Sequence, residues 1–171
     1  PDPPLLKTKE GDKVDAPHYP SITTLTAWKT ALTQQIVQTS GNRDTASIIK
    51  WITSVWEKGA IFDDVASSGG EEFVTLDVKL TSAMQRIINN GGQDAKELKD
   101  LINRKMAEAI RNYQLLKGRQ IVFLILENFK TFDNSEMVYG FDHLVNCECG
   151  TDLHLFLTQW TNILDNMNGT M

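Results

Sequence analysis

Between Gly118 and Lys130 the chain reads GRQIVFLILENFK, in which Ile121 to Leu126 are six consecutive apolar residues and Phe129 lies just beyond. A run of this kind has to be buried on more than one side, so the rest of the chain must supply the elements that surround it. In so short a run, periodicity does not separate a buried strand from a buried helix. The flanks decide for helix. Arg119, Gln120, Glu127 and Lys130 put polar groups at the two ends, while Ile121, Leu124, Ile125 and Asn128 form one face and Val122, Phe123, Leu126 and Phe129 the other. A helix that is apolar nearly all round is a central one, packed on from several directions, and such a helix carries packing without chemistry of its own.

The surrounding elements read as helices too. Leu25, Trp28, Leu32 and Ile36 recur at helical spacing, with Ser21 to Thr24 as N-caps and Gly41 as a stop, which predicts a helix over 23–39. Ile48, Ile49, Ile52, Val55 and Trp56 repeat at three and four, capped by Asn42 or Asp44 and ended by Gly59. One helical turn fits 61–66, and Ser67-Ser68-Gly69-Gly70 is a loop by composition. Phe73, Leu76, Leu80, Ala83, Met84 and Ile87 mark a third helix that stops at Asn89-Asn90-Gly91-Gly92. Asp94 and Glu97 have capping-box spacing, and Leu98, Ile102, Met106, Ala109, Tyr113 and Leu116 carry a long helix to about Leu116, with Gly118 just past its end. Beyond the central helix, a polar connector at 131–136 precedes a short helix around Phe141, Leu144 and Val145. Leu153, Phe156, Leu157, Trp160, Ile163, Leu164 and Met167 then share one stripe behind Thr151 or Asp152 as cap. No strand-like alternation survives a count, so an all-α fold is expected. All five prolines lie in the first twenty residues among Lys, Glu, Asp and Gly, which predicts an extended Pro-rich arm with little to bury.

Charge and cysteines narrow the function. A net charge of −5 argues against a domain that binds nucleic acid through its overall charge, so any RNA contact has to be local. The local candidate is Arg104, Lys105, Arg111, Lys117 and Arg119, along the long helix and its exit, with Arg104 and Arg111 seven apart on one face. Glu108 and Asp100 dilute it, and a solvated helix face is the plainer reading. Two cysteines, Cys147 and Cys149, are too few for a disulfide framework or a four-ligand zinc site, which fits a reducing compartment. With His143 they are the one set that approaches metal-ligand spacing; small apolar cysteines packed near a helix end are the reading preferred. There is no 18-residue apolar stretch and no signal-peptide plan at the N-terminus, so neither a membrane span nor secretion is indicated, and Asn168-Gly169-Thr170 reads as a chance sequon. Pro1 in place of an initiator Met points to a piece of something longer.

Catalytic patterns are weak. Asp44-Thr45-Ala46 has the triplet of retroviral-type aspartic proteases, but that triplet follows an apolar strand, whereas here Gly41-Asn42-Arg43 precedes it and a helix continues it; Asp44 reads as an N-cap. The pairs Gly69-Gly70 and Gly91-Gly92 lack the rest of a phosphate loop or dinucleotide fingerprint, and no Ser, Cys or Thr sits in a nucleophile elbow. Neither catalytic residues, nor metal ligands, nor cofactors are assigned, and no enzyme activity is expected.

Leu116-Lys117-Gly118-Arg119-Gln120-Ile121, then Phe129-Lys130-Thr131, then Leu153 to Met167 with Phe156, Trp160 and Leu164 resemble the Gag capsid region of copia-type LTR retrotransposons, and more loosely the resemblance reaches back to Trp28. It implies an all-helical, two-lobed capsid-like bundle that assembles through contacts between copies into a shell around the element's RNA. By that analogy an arm over 1–20 leads to an N-terminal lobe over 21–116 and to all or part of a C-terminal lobe over 118–171, with Phe156, Trp160 and Leu164 as core or assembly residues. The partner is then the chain itself, in an intracellular, cytoplasmic particle. A zinc knuckle and a basic tail are lacking, so RNA binding is left to a region outside this chain. A C-terminal lobe of two or three helices is expected to leave apolar surface of the 118–130 helix and the 153–167 stripe for another chain. The rival readings are a helical adaptor derived from such an element, which binds other proteins without forming particles, and a helical enzyme, which would need a deep pocket lined by converging polar groups.

Overall fold

The computed structural model describes residues 8–130, together with Thr161 and Asp165, which are both helical and exposed. The connector at 131–136, the helix expected around Phe141, His143, Cys147, Cys149, His154, and the assembly candidates Phe156, Trp160 and Leu164 lie outside the described residues. By its contacts the chain divides into two compact units, Pro1–Leu126 and Glu127–Met171. The first is built from α1 (Leu25–Ser40), α2 (Thr45–Thr53), α3 (Val74–Asn89), α4 (Lys96–Arg111) and the part of α5 (118–130) that ends at Leu126, with short 3-10 turns between them. The fold is mostly helical, and no β-strand occurs among the described residues.

The helix starts and stops follow the local chemistry. Asp44 accepts the Ser47 backbone N–H on Oδ1 at 3.2 Å and so caps α2, while Asn42 Oδ1 accepts the N–H of Asp44 at 2.9 Å. The carboxyl of Asp44 is therefore spent on a helix end, as its setting in the sequence implies. Gly41 ends α1 in the left-handed region at φ 62, and a Cβ there would come within 2.7 Å of the Lys9 carbonyl oxygen. Only glycine satisfies both demands.

α5 is the centre of the first unit. Ile121, Val122 and Ile125 are fully enclosed, and Phe123, Leu124 and Leu126 are buried as well. The same unit also buries Trp28, Leu32 and Ile36 of α1, Ile48 and Ile52 of α2, Leu76, Leu80 and Met84 of α3, and Leu98 and Ile102 of α4, and the Phe123 ring of α5 lies 6.1 Å from that of Phe62. Gly118 allows the closest approach: a Cβ on it would lie 2.7 Å from the Asp77 carbonyl oxygen, from Leu80 Cβ and from the Thr81 nitrogen. The contact division falls after Leu126, so 118–126, which the sequence reading places in the C-terminal lobe, packs in the first unit. The apolar residues of this stretch are buried; the 153–167 stripe, on which the expectation of apolar surface left for another chain also rests, lies outside the described residues.

Two local expectations need correction. The long helix does not reach Leu116: α4 ends at Arg111, the Gln114 N–H donates to the Ala109 carbonyl at 2.9 Å, and the Tyr113 N–H donates to that of Ile110 at 3.0 Å. That is a Schellman closure, with Tyr113 at φ 58 in the position glycine normally fills. Gly118 opens the next helix instead, where Gln120 Oε1 accepts the Lys117 N–H at 2.9 Å. Residues 8–20, in turn, are non-helical but not a loose arm. Val14 and Pro20 are buried, the Gly11 N–H donates to the Thr39 carbonyl at 2.7 Å, and Glu10 accepts from the Thr75 hydroxyl at 2.9 Å while pairing with Lys79. A single buried valine in a polar stretch has no period to reveal it.

Candidate interaction surface

The five basic residues proposed as a contact line do not stay together. Arg104 and Arg111 are exposed on α4, as their spacing implies. Lys105 and Lys117 are half-buried, and the Lys105 ammonium sits 4.8 Å above the centre of the Phe62 ring. Arg119 is only 5% exposed and faces inward.

That inward arginine is a correction with a definite physical reason. Its Nη1 donates to the Trp51 carbonyl at 3.2 Å and to the Ser54 hydroxyl at 3.4 Å, and its Nη2 donates to the Ser67 carbonyl at 2.8 Å. The guanidinium lies 5.1 Å from the Trp51 ring centre, which itself stacks on Phe73 at 5.1 Å, and the Trp51 indole N–H donates to the Ser68 carbonyl at 2.7 Å. A planar cation with five donors can tie α2 to the 67–68 loop in a way a lysine cannot. Its counter-charge is Asp77 on α3, which is 1% exposed and accepts the Arg119 backbone N–H at 3.2 Å. Burial pushes the Asp77 carboxyl above the ordinary aspartate range; the Ser68 hydroxyl, the Arg119 backbone N–H and the charges of Arg119 and Lys117 pull it back. Burial likewise lowers the pKa of Arg119, and Asp77 opposes this. The cluster is a bolt holding α2, α3, α5 and a loop, with its charges turned away from solvent. Sequence reading missed Asp77, although an acidic residue between Phe73 and Leu80 on the apolar stripe of α3 was a readable signal.

One open apolar surface lies at the C-terminal end of α4. Ile110 is 55% exposed, Tyr113 fully exposed and Leu115 60% exposed, and together with Gln114 and Lys117 they line one shallow depression. A second hollow of about 240 Å³ shares Gln114 and Leu115 and continues over Phe62, Lys105, Glu108 and Gln120. It is smaller than ordinary small-molecule sites, and both hollows are open to solvent. Among the described residues no three His, Cys, Asp or Glu side chains converge as metal ligands, and His18 is exposed. No helix among them is long and apolar enough to cross a membrane. What this face offers is apolar area with Lys117 beside it, at a helix end that also carries the exposed Arg111. Comparison of the chain with family models, with characterised proteins and with solved structures found no match.

Proposed function

We propose that this chain is a Gag-type capsid protein of a copia-type retrotransposon, which assembles with copies of itself into a shell that packages the element's RNA. The observation that carries the reading is the face formed by Ile110, Tyr113 and Leu115: three large apolar side chains lie exposed together on a helical body whose other large apolar groups are mostly enclosed. Patches of this kind on an otherwise well-packed body mark protein interaction sites. The buried Arg119 and Asp77 are spent on holding helices and a loop together, which suits a structural building block. With a net charge of −5 and Arg119 turned inward, RNA is held by a region beyond this chain. The test is electron microscopy of the purified protein with light scattering over a range of concentration. Particles, or a mass that climbs with concentration, support a capsid. Discrete dimers at every concentration favour an adaptor derived from such an element, and a strictly monomeric mass at high protein and high salt rules out assembly by this chain.

A further inference from the structure

We propose that copies of this chain join by seating the basic apolar end of α4 of one copy on the acidic apolar start of α3 of the next. The inference rests on the assembly reading above and names the two surfaces that meet.

The first surface centres on Tyr113. At φ 58 this residue occupies the left-handed region, where a side chain with a Cβ costs roughly 1–2 kcal/mol relative to glycine, and it is fully exposed. A tyrosine that strains the backbone and buries none of its ring within its own chain has its compensating contacts elsewhere. Ile110 and Leu115, more than half exposed, share one depression with it and with Lys117, and Arg111, exposed next to Ile110 in the chain, adds a second positive charge to this helix end. Aliphatic side chains of this size offer nothing to a phosphate backbone, so the patch suits an apolar partner with negative charge.

The same chain carries such a partner. Val74 and Val78 stand one turn apart on the outer face of α3, 44% and 52% exposed, and contribute little to the core. Glu71 and Glu72 are exposed immediately before them, in the 3-10 turn that leads into α3. Apolar meets apolar and acid meets base when one copy's α4 end lies on another's α3 start. Each patch is only a few side chains wide, below the roughly 800 Å² per partner of a stable pair, so one contact is weak and gains strength by repetition along an assembly.

Charge reversal in the full chain tests the pairing, with self-association followed by sedimentation and folding by circular dichroism. Arg111→Glu cancels the positive charge of the first patch, where Lys117 remains, and Glu71→Arg cancels the negative charge of the second, where Glu72 remains, so each variant alone should associate at least about tenfold more weakly than the parent, and an equimolar mixture should recover association. Tyr113→Gly is the control against misfolding: it relieves the backbone strain, so the protein stays folded while association falls by a similar factor. If the parent chain associates and these variants match it, the patches are not the contact although assembly stands. If the parent chain is monomeric throughout, the assembly reading falls and takes this pairing with it. If Arg111→Glu loses binding to a labelled single-stranded RNA with self-association unchanged, the α4 end is a nucleic-acid surface and the proposal is overturned.

Discussion

Replacing Arg119 by methionine keeps most of the volume and removes the charge. Three hydrogen bonds are lost, to the carbonyls of Trp51 and Ser67 and to the Ser54 hydroxyl, although the Trp51 carbonyl keeps the Ser54 hydroxyl as donor at 2.8 Å. Hydrogen bonds to a charged group contribute about 1.5–3 kcal/mol each, and the two to backbone carbonyls alone set a loss of about 3–6 kcal/mol before relaxation. Asp77, 1% exposed, also loses the favourable charge of Arg119, but its carboxylate accepts from the Arg119 backbone N–H and not from the guanidinium, so this contribution is smaller and is not added to the first. Protonation of Asp77 and the apolar contacts of methionine recover part of this, so the expected loss is about 3–5 kcal/mol. Urea unfolding followed by tryptophan fluorescence suits the measurement, because Trp51 is stacked against the guanidinium. The companion variant Asp77→Leu/Arg119→Met removes both charges and should return to within about 1–2 kcal/mol of the parent, since a buried pair is replaced by apolar groups. A single substitution costing under about 1 kcal/mol, or a double variant as unstable as the single, would show that Arg119 is not an internal bolt.

Three further outcomes are expected. The native pKa of Asp77 is raised above the ordinary aspartate value of 3.8, so the folded state binds the proton first and the parent gains stability relative to Asp77→Asn as pH falls from the raised value towards 3.8; a flat or opposite difference in chemical-denaturation midpoints contradicts the burial of that carboxyl. Gly118→Ala places a Cβ within 2.7 Å of α3 backbone and should cost about 2–3 kcal/mol or more by overpacking; an unchanged melting curve means α3 and α5 lie further apart. Tyr113→Gly should raise stability by about 1 kcal/mol through relief of the left-handed residue, and a loss of stability in urea titrations counts against the Schellman closure.

What the sequence made legible, and what it hid, divides by the range of the interactions involved. The helices were readable because each presents its apolar face at a spacing set by its own backbone: Trp28, Leu32 and Ile36 in α1 and Leu76, Leu80 and Met84 in α3 are buried as their period requires. α5 was readable for the opposite reason, since a run without polar relief can only be interior. Arg119 was misread because a charged residue at the end of such a run counts as a polar terminus by local rules. Its burial is decided by Trp51 and Ser67, 68 and 52 positions earlier, and by Asp77, 42 earlier. No window of sequence contains that set.

The end of α4 failed for a different reason, and it is the failure that bears on function. Tyr113 and Leu116 continue the apolar period, so a rule based on spacing extends the helix through them and buries them both. The Schellman closure at Ala109 and Ile110 diverts the chain instead. Leu116 is still buried, 5% exposed, but from a non-helical segment, and Tyr113 and Leu115 turn out to solvent beside Ile110. The exposed patch is therefore a product of where the helix stops. A glycine at position 113 would have announced that stop and at the same time removed the aromatic ring that gives the patch most of its area. Keeping a tyrosine there accepts strain in the isolated chain, and under the proposed pairing that strain is offset when the ring is covered. The sedimentation comparison of the parent chain with Tyr113→Gly reads both halves of this argument at once, because stability and association should move in opposite directions.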